Sequence, residues 1–454
     1  MRNGSYWRPV MGLSLIMTCR MLGLFMLMPV FALVAPTLSG STPFLVGAVL
    51  AAYGLTQATF QIPFGYLSDR WGRRPVIAMG LVLFALGSVV AALAHSIIWV
   101  LVGRAIQGAG AVGSTVLATV ADFTPNESRS KAMAVLGLGI GIAFALAMVL
   151  GPIVMHALGL SGLFLAMSGL AVLGLLVLWF VIPQPPQIKH DSVLSASGHW
   201  GDILRMPQLL KLDISIFMQH AILTALFLAL PLVLAHHMQL STHQQSIFYL
   251  VIFGLAFVLM VPGVIVAEKH RKMKLVFVLS VALMCVCLGV LAGFSLGFVA
   301  VAVVLLLFFT AFTLMESILP SCVSKVAPLK YRGSAMGVYS TSQFLGICVG
   351  GLLGGWALHA HAITGVWMLC AGLALLWLLV ALTLEPMAHF STLIFSLHAA
   401  AADKEQAITN RLLYTDGIYE VAWQAQSGRL YLKVDKRKVD EATIRQLIGE
   451  GNLG

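Results

Sequence analysis

Long apolar runs, separated by short polar connections, follow one another along most of this chain. Only 10% of its residues are charged, whereas soluble domains carry about a quarter. Each run has the roughly 20 residues that a helix needs to cross a bilayer, so we predict an all-α membrane protein with about twelve spans. Numbered in chain order, the predicted spans are 10–35, 45–68, 75–94, 98–122, 131–156, 161–182, 209–235, 244–267, 275–293, 298–322, 333–357 and 364–384.

The net charge of +10 is distributed as a topology signal and not as a surface for nucleic acid. Before residue 390, every lysine and arginine except Arg20 and Arg104 lies in or beside alternate connections, and the connections between them carry none. Cytoplasmic loops of membrane proteins are enriched in Lys and Arg. We therefore predict that both termini are cytoplasmic.

A short pattern recurs and indicates that the two halves of the chain are duplicates. Pro125-x-x-x-Arg129-x-x-Ala132-Met133-x-Val135 returns as Pro328-x-x-x-Arg332-x-x-Ala335-Met336-x-Val338. A polar, proline-rich stretch lies between the halves. We predict an N-terminal six-helix half at 1–182, a cytoplasmic linker at 183–206, a C-terminal six-helix half at 207–386 and a cytoplasmic domain at 390–454.

The connection between spans 2 and 3 is the most specific motif of the chain. It reads Gly65-Tyr66-Leu67-Ser68-Asp69-Arg70-Trp71-Gly72-Arg73-Arg74, in which Gly72 permits a tight turn. The stretch resembles the loop 2–3 signature of the major facilitator superfamily, with Gly65, Asp69, Arg70, Gly72, Arg73 and Arg74 at signature positions. The resemblance implies two six-helix halves around a substrate site near the membrane midplane, and a conformational switch at this loop. A generic charged turn is the alternative.

Two further stretches resemble signatures of the same superfamily. In span 4, Arg104, Gln107 and Gly108 match the helix 4 signature, whose arginine is linked to proton coupling in that family. The alternative is a structural arginine bound to carbonyl groups. In span 5, Gly151 and Pro152 match the Gly-Pro pair of the antiporter signature of the drug–proton branch, but other residues occupy its remaining glycine positions. The resemblance to antiporters is therefore partial.

Polar side chains inside the spans are the candidates for chemistry, because an ionisable group in a bilayer is costly and usually faces a bundle interior or a cavity. Arg20 lies near the middle of span 1, and Glu316 is the most deeply placed carboxylate. Together with Arg104 they are the predicted proton-coupling residues, although a local ion pair is an equal alternative for Glu316. The candidates for lining a cavity are Gln57, Gln61, His220 and Gln343, for which helix packing is the alternative.

Two predictions concern charges at the cytoplasmic ends of the spans. Asp122 and Arg129 are expected to form a charge cluster with the arginines of the loop motif. A helix N-terminus stabilises a carboxylate, so we also predict that Asp69 caps the start of span 11, at Gly333 and Ser334, in one transport state. Solvated surface charges are the alternative for both.

The tail has alternating charge and no span. Its pattern predicts strand, helix, strand, strand and helix at 391–397, 403–414, 418–426, 429–435 and 440–448. That order is the ferredoxin-like plan without its last strand. The tail resembles heavy-metal-associated domains but contains no cysteine, so we predict no metal site there. Superfamily helices followed by such a tail resemble one type of bacterial drug–proton antiporter-like protein.

The expected function is that of a secondary active transporter of the bacterial inner membrane, which exports a small amphipathic compound against proton entry. An uptake carrier, either proton-coupled or facilitative, and a non-transporting sensor are the alternatives. No Gly-x-x-x-x-Gly-Lys-[Ser/Thr] phosphate loop is present, so we expect neither an ATP-driven pump nor an enzyme. The expected partners are the substrate and the lipid bilayer, with the proton as coupling ion, no other cofactor, no nucleic acid and a monomeric state.

Overall fold

The computed structural model describes residues 6–124, 126–184, 200–328, 332–386, 391–396, 405–424, 429–435 and 438–448. Up to Leu382 the regular elements of these residues are helices. They are α1 (Trp7–Phe25), α2 (Phe31–Val34), α3 (Pro43–Trp71), α4 (Arg73–Ala92), α5 (Ile97–Ala109), α6 (Gly113–Phe123), α7 (Asn126–Phe180), α8 (Trp200–Leu204), α9 (Pro207–Leu232), α10 (Thr242–Glu268), α11 (Met273–Gly293), α12 (Phe298–Val326) and α13 (Arg332–Leu382). A 3₁₀ turn (Ala35–Thr37) follows α2, and a π turn (Val233–His237) extends α9.

Two of these helices are broken near the middle. In α7 the break is at Gly159, whose φ of 68° lies in the left-handed region, and in α13 it is at His361 and Ala362. The breaks give each helix two arms, 126–158 and 160–180 in α7, and 332–360 and 363–382 in α13. Ten helical segments among the described residues are long and apolar enough to cross a membrane. Because two of these contain two arms each, the all-α fold with twelve spans is confirmed.

Two spans are interrupted in a way that the apolar pattern does not reveal. Between α1 and α2 the chain turns at Pro29, which has no N–H to continue a helix. Between α5 and α6 the backbone passes very close to α4, since a Cβ at Gly110 would lie 2.2 Å from the carbonyl oxygen of Gly80. Only glycine permits that approach, which ties the middle of span 4 to span 3.

The chain divides into two compact units. The first consists of Met1–His190, Lys211–Leu319 and Gly337–Leu384, and the second of Asp191–Leu210, Pro320–Met336 and Glu385–Gly454. The division into domains at 1–182, 183–206, 207–386 and 390–454 stays a prediction. The described part of the predicted linker contains the short helix α8.

Within the first unit, glycines of α13 bring its backbone against α9. A Cβ at Gly346 would lie 2.3 Å from the carbonyl oxygen of Phe217, and a Cβ at Gly350 would lie 2.2 Å from that of Ala221. One turn further along, Gly354 meets Ala225 in the same way. Small residues four apart let membrane helices approach this closely. The glycines of span 11 therefore pack α9 and α13 into one body.

The tail forms a small α+β body in the second unit. Its elements are β1 (Ser391–Ser396), α14 (Glu405–Leu413), β2 (Ile418–Gln424), β3 (Arg429–Val434) and α15 (Glu441–Ile448). The strands are antiparallel in the order β1-β3-β2, which is compatible with a ferredoxin-like sheet that lacks its fourth strand. Of the predicted elements, residues 397, 403–404 and 425–426 lie outside the described residues.

Alternate residues of β3 explain how this sheet is covered. Leu430, Leu432 and Val434 are completely buried against α14 and α15. Lys433 points to the opposite face, yet it is only 5% exposed. Its ammonium donates to the carbonyl oxygen of Ala327, the residue that follows α12, at 3.2 Å. A cation at a helix C-terminus is favourable, so the tail supplies a donor to the end of α12.

Candidate transport site

A buried polar row lies between α1 and α3 in the N-terminal half. Arg20 is 2% exposed, and it donates to the hydroxyl of Tyr53 at 3.2 Å and to the amide oxygen of Gln57. The amide nitrogen of Gln57 donates in turn to Gln61 at 3.0 Å. Two further nitrogens of the Arg20 guanidinium, Nε and Nη1, are buried without an acceptor. This cation is therefore held by neutral groups.

Arg104 lies on the other side of Tyr53. Its guanidinium carbon is 4.6 Å from the centre of the Tyr53 ring, which is a cation–π distance. Nη1 donates to Gln107 Oε1 at 2.9 Å, and Gln107 Nε2 donates in turn to the hydroxyl of Ser88. Because a Cβ at Gly108 would lie 2.4 Å from the Tyr53 carbonyl oxygen, this glycine brings α5 against α3. The role of Arg104 in proton coupling stays a prediction.

The second polar cluster belongs to the C-terminal half and joins α9, α12 and α13. Gln219 donates to Glu316 Oε2 at 2.8 Å, and His220 Nε2 lies 3.9 Å from the same oxygen. The amide nitrogen of Gln343 is 2.8 Å from His220 Nε2, and His220 Nδ1 is 3.3 Å from the carbonyl oxygen of Ile216. A carbonyl can only accept, so Nδ1 carries the hydrogen and Nε2 accepts from Gln343. This bonding pattern describes a neutral imidazole.

Aromatic rings connect the two halves beside this cluster. Phe144, on the first arm of α7, meets Phe253 of α10 edge to face, with ring centres 5.1 Å apart. The same ring lies 5.8 Å from Phe312 of α12, and Phe312 lies 6.3 Å from the His220 ring. Phe25 of α1 completes the row on the N-terminal side. We call Phe25, Phe144, Phe253 and Phe312 the aromatic bridge.

A second junction between the halves consists of glycines and lies where α3 begins and the first arm of α13 ends. A Cβ at Gly47 would lie 2.1 Å from the carbonyl oxygen of Gly351, and a Cβ at Gly54 would lie 2.6 Å from that of Phe344. Gly355 meets the backbone of α3 in the same way, at Phe44. We call this backbone contact the glycine junction.

The loop between α3 and α4 is organised around Arg73. This arginine donates to Asp69 at 2.5 Å, to Ser68 at 2.7 Å and to Asp122 at 2.9 Å. The side chains of Arg73 and Asp122 are both 12% exposed, whereas that of Asp69 is 57% exposed. The loop is therefore tied to the end of α6 by a sheltered ion pair, and Asp69 is its exposed member.

The remaining motif residues have distinct surroundings. Arg70 stacks on Tyr66, and Arg74 stacks on Trp179 while donating to its carbonyl oxygen. Gly65 lies in α3, and Gly72 joins α3 to α4 with a φ of 92°. A Cβ at Gly151 would lie 2.4 Å from the carbonyl oxygen of Met26, and Pro152 follows it in α7. Gly333 and Ser334 lie at the start of α13, in the second unit. The Arg129 side chain lies outside the described residues.

Tyr53 and Asp213 are absent from the sequence-predicted site, whereas Gln219, like Gln343, is predicted from the sequence to line a cavity or to bridge helices. Tyr53 precedes Gln57 and Gln61 at a spacing of four, so the helical period places all three on one face of α3. Gln219 and Asp213 are polar residues within predicted span 7. The sequence shows the polarity of each residue, but it does not show the hydrogen bonds of Tyr53 and Gln219 or the burial of Asp213.

The sequence pattern of the Major Facilitator Superfamily matches residues 13–351. The chain belongs to this superfamily. The "Inner membrane transport protein YajR" of Escherichia coli (strain K12) is 43% identical over 442 residues, which are 97% of this chain and 97% of that protein. The "Multidrug resistance protein MdtH" of Aeromonas salmonicida (strain A449) is 26% identical over 346 residues, which are 75% of this chain and 85% of that protein.

The fold also matches that of a transporter of known structure. The crystal structure of a D-xylose–proton symporter superposes with a TM-score of 0.69 at 17% identity, over 84% of this chain and 98% of that one. At that identity the match supports the fold but not a shared function. Family and fold together make the protein a multi-pass membrane transporter of a small molecule and not an enzyme.

Proposed function

We propose that this transporter is a proton-coupled exporter of a small amphipathic compound in a bacterial inner membrane, with both termini in the cytoplasm. The observation that carries the proposal is the pair of titratable side chains, His220 and Glu316, 3.9 Å apart beside the aromatic bridge. The names of two relatives support location and direction, since one is an inner membrane transport protein and the other a multidrug resistance protein.

Proton uptake at this pair changes its hydrogen bonds. His220 accepts from Gln343, and Glu316 accepts from Gln219. A proton on His220 makes Nε2 a donor, so the Gln343 amide must rotate to present its oxygen, or the ring must turn toward Glu316. These four side chains lie on three helices, α9, α12 and α13. Protonation therefore alters contacts between helices, which is the differential interaction that a conformational change requires.

The outer gate of the transporter is proposed to lie at the glycine junction. It lies at the end of the bundle where α3 begins, and the distribution of Lys and Arg supports the outer side of the membrane for that end. Rocking of the halves about the aromatic bridge would open this junction while closing the opposite end, as alternating access requires. In this proposal the glycines hold the outer gate shut.

The loop between α3 and α4 is proposed as the switch on the cytoplasmic side. Its sheltered pair, Arg73 and Asp122, holds the loop in place, while Asp69 is exposed. When the cytoplasmic ends meet, Asp69 exchanges its bond with Arg73 for the N-terminus of α13 near Gly333. A carboxylate at a helix N-terminus contributes about 0.3–2 kcal/mol, which is enough to bias two states.

Transport by the purified full-length protein in lipid vesicles tests this function. A pH gradient is imposed, a panel of cationic, neutral and anionic amphipathic compounds is supplied, and an enclosed pH dye reports proton movement. Export predicts that a compound moves opposite to the protons and stops when an ionophore collapses the gradient. Movement of compound and protons in the same direction indicates an uptake carrier, and binding without flux indicates a sensor. Either result contradicts the proposal.

A further inference from the structure

A buried carboxylate in α9 lies outside the hydrogen-bonded networks described above. Asp213 lies in the second turn of α9 and is 4% exposed. Its Oδ1 has no hydrogen-bond donor, and Asp213 forms no ion pair with any residue that the structure describes. An isolated ionised carboxylate in an apolar interior is so costly that such a group normally takes up a proton instead.

The packing of α9 on α13 places this carboxylate. Phe217, Ala221 and Ala225 meet glycines of α13 at intervals of four residues. Residues four apart lie on one face of a helix, so Asp213 continues this row one turn earlier. On α13, Ser342 stands one turn before Gly346 in the facing row. Asp213 therefore belongs to the interface between α9 and α13, at the level of Ser342.

The same helix connects Asp213 to the candidate proton site. His220 follows it by seven residues, which is two turns or about 10.5 Å along the axis, on the same face. The nearest cation on α9 is Lys211, and its ammonium donates to the carbonyl oxygen of Thr383 at 2.7 Å. The other titratable groups on α9 and on the first-unit parts of α12 and α13 are His220, Glu316, Tyr339, Cys348, His359, His361 and Cys370. His359 and His361 lie at the far end of the first arm of α13, about 25 Å along the axis from Ser342. None of these groups supplies a positive charge to Asp213 while the His220 imidazole is neutral.

We propose that Asp213 is a second proton-binding site, between the Lys211 end of α9 and the pair His220–Glu316. The inference deepens the proposed function and rests on it for the direction of proton flow. In the proposed orientation the Lys211 end faces the cytoplasm, so a proton that leaves the pair binds Asp213 before it enters the cytoplasm. The bound proton neutralises the carboxylate, and its release to water restores the charge. Water must enter the interface for the transfer, because about 10 Å separates the two sites.

Infrared titration of the full-length protein in lipid tests this site without any substrate. A protonated carboxyl group has a C=O stretching band that the ionised form lacks. As the pH is raised, the wild type should lose such bands from two carboxyl groups. Asp213→Asn should remove one of them and Glu316→Gln the other. Ser215→Ala, a buried neighbour on α9 that donates to the Lys211 carbonyl oxygen, should leave both unchanged.

Two results would overturn the inference. Identical bands in wild type and Asp213→Asn would mean that Asp213 holds no titrating proton, and loss of its band on adding NaCl at constant pH would make it an alkali-cation site. If Asp213→Asn fails to fold, Asp213→Glu should move that band rather than remove it, and an unmoved band refutes the site. The bands do not depend on transport. Absence of proton flux with the Asp213 band intact would therefore refute the proposed function and leave the Asp213 site in place.

Discussion

The glycine junction gives a prediction whose size follows from the structure. Gly47→Ala places a Cβ 2.1 Å from the carbonyl oxygen of Gly351, whereas carbon and oxygen normally approach to about 3.3 Å. Both atoms belong to helix backbones or are fixed to them, so α3 and α13 must separate by about 1 Å. Overpacking of this kind costs about 1–3 kcal/mol. The closed junction should therefore lose about 5- to 150-fold in population relative to the open one.

The separation of α3 and α13 can be measured as the distance between spin labels at positions 41 and 360. Both positions lie at the ends of the two helices, outside the contact itself. In the wild type we expect one short distance, and in Gly47→Ala a second, longer distance should become dominant. Gly351→Ala should behave in the same way, because its Cβ would lie 2.6 Å from the carbonyl oxygen of Gly47.

Gly289→Ala is the matched control for these variants. A Cβ at Gly289, near the C-terminal end of α11, would meet no atom within 4 Å apart from the adjacent backbone of its own helix. It therefore adds the same methyl group to a membrane helix without a clash, and its distance distribution should equal that of the wild type. If Gly47→Ala also gives the wild-type distribution, the junction does not hold a gate, and the reasoning from backbone contact is wrong.

The remaining predictions concern other parts of the chain. Arg104→Ala should abolish pH-driven flux and leave extractable, folded protein, whereas aggregated protein would indicate a structural role. Asp69→Asn should slow flux and increase labelling of a cysteine on the first turn of α13, and unchanged flux and labelling would leave Asp69 a solvated charge. Removal of residues 390–454 should leave the helices inserted; failed insertion would make the tail part of the membrane fold. Hydrogen bonds from Thr443 hold the pKa of Asp440 below its usual range, so this stabilisation of α15 is present at neutral pH and is lost as the pH falls through the folded pKa. Asp440→Ala should speed hydrogen exchange in α15 at neutral pH, and equal exchange rates would refute the cap.

The membrane fold follows from the sequence because its causes are local. Long apolar runs must be helices in a bilayer, since every backbone group has to be bonded within the segment. The break at Gly159 lies between two predicted spans, at a residue that tolerates a left-handed backbone. The turn at Pro29 lies inside the predicted span 10–35 and was not predicted. The runs also do not reveal the exact course of span 4, because its interruption depends on the approach of Gly80 on another helix.

The candidate site was only partly predictable, since its bonds run between helices. Intramembrane cost alone singles out Arg20, Arg104 and Glu316, and all three lie in polar networks. The partner of Glu316 is Gln219, and no spacing in the sequence connects residues 97 positions apart. Asp213 also lies inside a predicted span, but it lacks a motif and appears only once its burial is known.

Glu316 is half of the proposed proton-binding pair with His220, and proton movement driven by a substrate gradient measures whether this carboxylate is required for coupling. Vesicles that contain wild type, Glu316→Gln or Ser317→Ala are loaded with a transported compound and diluted, and an enclosed pH dye follows proton counterflow. Ser317 is the adjacent residue on α12, with an exposed side chain. We expect counterflow in wild type and Ser317→Ala, and none in Glu316→Gln, although this variant should still exchange labelled for unlabelled compound. Proton counterflow at the wild-type rate in Glu316→Gln would mean that the coupled proton does not bind at Glu316.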